Sequence, residues 1–304
     1  MSQVPVTPTV FHLGEYVRAD QAMVNVSALA MRYGLSVFEG VRGYKQQDGR
    51  VLPFMLDAHL LRLQRSLKLM CLPDPGVSQI PDIIQQLLVR NALTEDVSVR
   101  PSVHAVNAGD LHVVPVCGMT VNIGAMGRKK WFNSAKGMRA TVSSIRKLSH
   151  DAFPSSAKCV AAYANTFIAS TLAKASGFDV PLLLNQSGYL TEAPTAALFV
   201  VKGGRLYTPL QSDGVLPSVT AHVIAQLAKG LGLDVQQRHL RAEDLVNASE
   251  AFLCGTGLEI AAIESLEQHR IGDFAHRPVT AQLSEAYYTL VRGETTYQGA
   301  PYDI

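Results

Sequence analysis

The sequence predicts an α+β fold in two domains, and three observations carry that prediction. Strand-forming runs come in clusters, and the helices among them stand alone instead of alternating regularly with strands. The chain has 304 residues, 47% hydrophobic and 17% charged, which is enough to bury a real core and too apolar for disorder. The composition changes over 124–136, where two glycines, four lysines or arginines and the only tryptophan, Trp131, fall together. We read that stretch as the connection between a small N-terminal domain, 1–123, and a larger C-terminal domain, 137–304.

The elements follow in order. Runs at 11–17 and 36–44 carry β-branched and aromatic residues and read as strands. Residues 57–70 read as a helix with an apolar stripe of Leu60, Leu61, Leu63, Leu67 and Met70. Residues 80–94 read likewise, with Ile83, Ile84, Leu87 and Leu88 inside and Pro81 and Asp82 suited to the first turn. Strands follow at 97–106 and 113–123. Beyond the connection, 138–145 reads as a strand. A helix at 163–176 is stopped by Gly177, a common C-terminal cap. Short strands at 180–184, 189–191, 198–201 and 205–207 are joined by turns rich in Gly, Asn and Ser. A helix at 219–231 and a strand at 251–254 complete the reading.

Composition also excludes functions. Lys and Arg number 27 against 25 Asp and Glu, a formal balance of +2, and the nearest approach to a basic block is Arg128-Lys129-Lys130. Nucleic-acid binding is therefore not expected. Four cysteines, Cys71, Cys117, Cys159 and Cys254, show no paired spacing, so neither a disulfide framework nor a zinc site is expected. No export signal is visible at the start, and no apolar run reaches the roughly 18 residues of a membrane span. Reduced thiols and a cytoplasmic setting are the expectation.

Chemistry centres on Lys158, set between Ala157 and Cys159 ahead of Val160-Ala161-Ala162. Glu192 follows the uncharged run Gly188-Tyr189-Leu190-Thr191. Leu216-Pro217-Ser218-Val219-Thr220 opens a helix, and helix N-termini offer N–H groups and a positive dipole end to anions. Gly255-Thr256-Gly257 makes a tight turn with a hydroxyl and an approachable backbone. Arg62, on the first long helix, can add a bidentate guanidinium. Alone, each is ordinary: a surface lysine, a strand-end glutamate, a helix cap, an exposed arginine. Together, an amine, a carboxylate and a split phosphate site are what pyridoxal 5'-phosphate requires.

The ordered motifs strengthen this. Residues 33–42 read Tyr-Gly-Leu-Ser-Val-Phe-Glu-Gly-Val-Arg, followed by His59, Arg62, Leu63 and Ser66. Ser143-Ser144, Lys158, Tyr163, Gly188-Tyr189, Glu192, Leu216-Pro217, Val219-Thr220 and Gly255-Thr256 follow in turn. In these residues the chain resembles the class IV pyridoxal-phosphate aminotransferases, most of all the branched-chain amino acid aminotransferases. The resemblance implies a fold-type IV (D-amino acid aminotransferase-like) architecture with the cofactor between two domains. It implies that Lys158 forms the internal aldimine, that Tyr163 bonds the ring hydroxyl, and that Glu192 holds the pyridinium. It assigns the phosphate to Arg62, Val219, Thr220 and Thr256, and a substrate pocket to Tyr33, Phe38 and Arg100. A homodimer is implied, with residues 107–112 as the loop that closes the partner subunit's pocket. A ping-pong transfer from an apolar amino acid to a keto acid such as 2-oxoglutarate is the expected reaction.

The chain departs from that pattern where substrate is recognised. Ser98 stands where a tyrosine is usual, and Gly257 replaces a usual alanine. Ser218 replaces glycine in the phosphate turn, and Ala221 stands where arginine is common. Residues 193–198, Ala-Pro-Thr-Ala-Ala-Leu, lack the Glu-Asn that usually ends this turn. These changes leave open a specialised donor, a D-amino acid or (R)-amine transaminase, an aminodeoxychorismate-type lyase, and a non-catalytic scaffold.

Overall fold

A computed structural model describes residues 9–126 and 135–303. Most of the expected connecting stretch, Trp131 included, lies outside the described residues. The chain divides into two compact units. The first comprises Met1–Arg128 with Ala157–Ala161, and the second Lys129–Ser156 with Ala162–Ile304.

Unit 1 is built on an antiparallel sheet. Its elements are β1 (Thr9–His12), β2 (Glu15–Arg18), α1 (Leu29–Tyr33), β3 (Ser36–Phe38), β4 (Val41–Lys45), β5 (Val51–Pro53), α2 (Leu56–Leu69), α3 (Ile80–Arg90), β6 (Val97–Ala105) and β7 (Cys117–Ala125). The sheet order is β2-β1-β7-β6-β4-β5, with β3 also on β6. Two runs expected as single strands are broken. Residues 11–17 turn back at Leu13-Gly14, both at positive φ (50° and 97°), as a two-residue hairpin requires. Residues 36–44 break at Glu39-Gly40, opposite Pro101 of β6. Glu39 N–H donates to the Pro101 carbonyl at 2.9 Å, but proline has no N–H to return the bond. Strand β7 begins at Cys117 instead of 113. Asn107 folds the preceding loop by accepting from Val116 N–H at 2.8 Å.

Helix α2 corrects the expected stripe. Leu61 is exposed, and the buried side chains are Ala58, His59, Arg62, Leu63, Ser66 and Leu67. The inward face is therefore half polar, with His59, Arg62 and Ser66 at i, i+3 and i+7.

Unit 2 contains β8 (Met138–Val142), α4 (Tyr163–Ala175), β9 (Val180–Leu182), β10 (Glu192–Ala193), β11 (Ala196–Lys202), β12 (Arg205–Thr208), α5 (Val219–Gly230), β13 (Val235–Gln237), α6 (Ala242–Val246), β14 (Glu250–Gly255), β15 (Glu259–Leu266), β16 (His269–Arg270) and α7 (Pro278–Val291). Its sheet runs β13-β12-β11-β14-β15-β8-β9, with β10 on β11 and β16 on β15. Pairs β12/β13, β15/β8 and β8/β9 are parallel and the others antiparallel. Leu182, Leu190, Leu198, Val200, Leu253 and Ile263 share one buried cluster. Phe199 stacks on its cross-strand partner Phe252, centroids 5.2 Å apart, worth about 0.5–1.5 kcal/mol beyond burial. Gly177 sits at φ +81° just past α4, as its capping role demands.

Two expectations fail here. Residues 189–191 form no strand, only a Leu184–Leu190 bridge, because Asn185 draws the chain into a turn by accepting from Ser187 and Tyr189 N–H groups. The C-terminal helix α7, not anticipated, begins at Pro278. Its first N–H groups are satisfied by Glu250, which accepts from Val279 at 3.0 Å and Thr280 at 2.7 Å.

The residues expected as one domain, 137–304, also part at one place: Ala157–Ala161 packs with unit 1. Val37 and Cys159 form an antiparallel bridge, and Phe38 N–H donates to the Lys158 carbonyl at 3.1 Å. Gly34, at φ +69°, is needed beside this segment. A Cβ there would lie 3.1 Å from the Ala161 Cβ.

Candidate active site

Lys158 is positioned through its backbone. Its N–H donates to Ser66 Oγ at 3.0 Å, and its carbonyl accepts from Phe38 N–H at 3.1 Å. Ser66 in turn donates to the Arg62 carbonyl at 2.9 Å, one helical turn back along α2. The Lys158 Nζ lies 5.0 Å from the centre of the Phe38 ring. Arg100 Cζ is 3.9 Å from the same ring centre, a cation–π distance. Lys158, expected to hold the cofactor, and Arg100, expected in the substrate pocket with Phe38, thus meet at one ring. Tyr33 ends α1, next to Gly34, with the Arg32 guanidinium 5.1 Å from its ring centre.

Beneath Phe38 lies a buried ion network that sequence reasoning missed. Glu39 is fully buried. Arg62 donates from Nε to Oε1 and from Nη2 to Oε2, each at 2.7 Å, and His59 Nδ1 donates to Oε2 at 2.8 Å. Burial alone would push the Glu39 carboxyl up. The Arg62 charge and hydrogen bonds, helped by His59, overcome it and hold the group far below the usual carboxylate range. For His59, burial is the largest influence and outweighs Glu39, and the Arg62 and Lys158 charges add to it, so its imidazole titrates below its ordinary value. Two of the three guanidinium nitrogens of Arg62, Nε and Nη2, thus rest on Glu39. The signal was present: a lone carboxylate between Phe38 and Gly40, and polar residues at helical spacing on α2.

Ser98 and Arg100 share a face of β6 with Ser102 and His104, since strand neighbours alternate. That face lines a cavity of about 480 Å³ with His12, Thr120 and Asn122. Val10, Ala22, Val24 and Ile123 also form its wall, and neither Tyr33 nor Phe38 lines it. His12 Nε2 meets the Met23 carbonyl at 2.9 Å and so carries the proton there. The Thr120 hydroxyl is hydrogen-bonded to His12 Nδ1 at 2.8 Å and to His104 Nε2 at 3.0 Å.

In unit 2, Glu192 opens β10. One carboxylate oxygen pairs with Lys147 Nζ, and the other accepts from Leu216 N–H at 3.0 Å. Leu216 begins the turn that leads into α5. Ser218 is the cap of that helix, accepting from Ala221 N–H at 3.2 Å, so Val219 and Thr220 are its first two residues. Thr256 and Gly257 lie at the tip of the β14/β15 hairpin, closed by Leu258 N–H on the Gly255 carbonyl at 3.1 Å. A Cβ on Gly255 would sit 2.9 Å from the Thr195 carbonyl, so this hairpin lies directly on the 193–196 turn. Tyr163 is the first residue of α4. Each unit thus brings its own expected residues together: Lys158, Phe38, Arg100 and Arg62 in one, Glu192 and the α5 turn in the other. Among the described residues no group of His, Cys, Asp and Glu could hold a metal ion.

Comparison with known proteins agrees with these motifs. The profile of the family described as "Amino-transferase class IV" matches residues 36–266. A branched-chain-amino-acid aminotransferase of Salmonella typhimurium is 32% identical over 288 residues, covering 93% of this chain and 92% of its own. The crystal structure of the Escherichia coli branched-chain amino acid aminotransferase superposes with a TM-score of 0.89 at 30% identity, covering 96% of this chain and 97% of that one. The branched-chain amino acid aminotransferase from Thermobaculum terrenum, in its PLP-bound holo-form, gives a TM-score of 0.89 at 29% identity, with 95% of both chains covered. The fold is that of these enzymes, and the chain belongs to the class IV aminotransferases.

Proposed function

We propose that the protein is a pyridoxal-phosphate-dependent transaminase. It takes an amino group from an apolar, branched-chain-like amino acid and passes it to a 2-keto acid such as 2-oxoglutarate. The observation that carries this reading is Lys158, held by hydrogen bonds on both sides of its backbone with its amine beside Phe38. The remaining donor set fits the cofactor. A carboxylate that can only accept, Glu192, suits a protonated ring nitrogen. The α5 N-terminus, which can only donate, suits a phosphate.

Bound there, the cofactor supplies an electron sink for the bond that must break. Lys158 would be the residue that holds its aldehyde, and its free amine would serve as the base and acid that moves a proton. Glu192 would keep the ring nitrogen protonated, and Tyr163 would bond the ring hydroxyl. Arg62, Val219, Thr220 and Thr256 would hold the phosphate. Tyr33 and Phe38 would give the substrate an apolar wall, Arg100 would offer a cation to a carboxylate, Ser98 stands where a carboxylate-binding tyrosine is usual, and Gly257 would enlarge the pocket slightly. The working form is a homodimer. The 107–116 loop exposes Leu111, Val113, Val114 and Val116, and α4 exposes Phe167, Ile168 and Leu172, apolar surfaces of the kind a second copy covers. No described helix is long and apolar enough to cross a membrane. We place the protein in the cytoplasm, with its thiols reduced.

The test is borohydride reduction of the cofactor-loaded protein, followed by peptide mass mapping. A pyridoxyl group on Lys158, lost in Lys158→Ala, is the expected result. Donor assays with 2-oxoglutarate should then rank leucine, isoleucine and valine above their D forms and above (R)-amines. Pyruvate release without a keto-acid acceptor would instead mark a lyase, and an unlabelled Lys158 would overturn the reading.

A further inference from the structure

Glu192 is engaged at both oxygens. Oε1 pairs with Lys147 Nζ, and Oε2 accepts from the Leu216 N–H that starts the phosphate turn. The Lys147 and Glu192 side chains are each only 12% exposed, so their charges are poorly screened by water. Lys147 is also fixed through its own backbone. Its N–H donates to the Leu184 carbonyl at 2.9 Å, and its carbonyl accepts from Gln186 Nε2 at 3.2 Å. The preceding Arg146 carbonyl accepts from Asn165 Nδ2 at 3.0 Å, tying the segment to the first turn of α4. This is a built arrangement: a pinned backbone delivers an ammonium to this carboxylate.

We propose that Lys147 is a positioning residue for the ring-nitrogen carboxylate and sets its effective charge. The inference rests on the reading of Glu192 as the pyridinium partner. A lone carboxylate would present a full negative charge to the cofactor. A carboxylate shared with an ammonium presents less, while staying oriented by it. Lys147 therefore keeps Glu192 in place and makes the bound cofactor less basic than Glu192 alone would. The cofactor is thus easier to deprotonate near neutral pH. Leu216 extends the coupling, because the same carboxylate also fixes the start of the phosphate turn.

The experiment is a pH titration of the visible absorption band of the protein loaded with pyridoxal 5'-phosphate. It compares wild type, Lys147→Met, Lys147→Gln, Lys147→Arg and Glu192→Gln. Removing the cation should raise the protonation midpoint by about one pH unit in Lys147→Met, the scale expected for a charge a few ångströms away. Lys147→Gln, one bond shorter but still carrying a hydrogen-bond donor, should show the same rise, and Lys147→Arg should return the midpoint toward wild type. A purely structural lysine would leave the midpoint unmoved even if affinity for the cofactor fell. Unchanged midpoints in Lys147→Met and Lys147→Gln, with a shifted one in Glu192→Gln, overturn the proposal alone. An unchanged midpoint in Glu192→Gln as well overturns the Glu192 reading with it.

Discussion

Arg62 lays two guanidinium nitrogens against the two oxygens of Glu39, each at 2.7 Å, and both side chains are buried. The pair lies 23 residues apart in sequence and joins the end of β3 to the middle of α2. It fixes the helix that also supplies Ser66 to the Lys158 backbone. Breaking a buried pair by neutralising one member leaves the other charge uncompensated, at a cost of about 3–5 kcal/mol. Glu39→Gln should therefore lower the denaturant midpoint without changing its slope. It should also weaken cofactor retention, measured as absorbance remaining after dialysis.

The same network predicts an acid-labile fold. His59 is held below its ordinary value of 6.5, so the unfolded chain takes up a proton that the folded chain refuses. Its contribution is present above pH 6.5 and fades as pH falls below that value. Glu39 is held below its ordinary 4.5, so its contribution is present above pH 4.5 and is lost only in stronger acid. Urea midpoints measured from pH 8 to 5 should decline below pH 6.5 in wild type. In His59→Gln that decline should flatten.

Ser66→Ala tests the support of Lys158. The substitution leaves the Lys158 N–H, 3.0 Å from the lost oxygen, without this acceptor, at a cost of about 1–3 kcal/mol. We expect turnover to fall by roughly tenfold while the α2 helical signal is kept, the change corresponding to about 1.4 kcal/mol. A kcat equal to wild type would show that the side chain needs no such anchoring.

Thiol labelling should sort the cysteines by environment. Cys71 is exposed. Cys254 is buried, and burial pushes its thiol well above the ordinary range; the half-buried Cys117 is pushed up to about 11 by the same cause. Only the thiolate reacts. Iodoacetamide at pH 8 followed by peptide mass mapping should modify Cys71 first and leave Cys254 unmodified until the protein unfolds.

How much was legible beforehand depended on range. The α3 helix, the cap at Gly177 and the α5 start at Val219 rest on periodicity and cap chemistry within a few residues, and the structure shows all three. The break at Glu39 needed Pro101, and the turn at 185–189 needed a side chain that accepts from its own backbone. The α7 start needed Glu250, 28 residues upstream of Pro278. Local pattern does not report such partners, so by pattern alone a strand runs through Glu39, another spans 189–191, and α7 gives no signal.

The sequence by itself determined the family, and it offered the lysine and the residue types that would suit a ring nitrogen and a phosphate, because chemistry demands those types in that order. Only the tertiary structure decided how they are partnered: Arg62 on Glu39, Ser66 on Lys158, Lys147 on Glu192. The physical reason is that helical or strand spacing says which face a side chain occupies. What that face meets depends on chain brought back from 23 to 92 residues away.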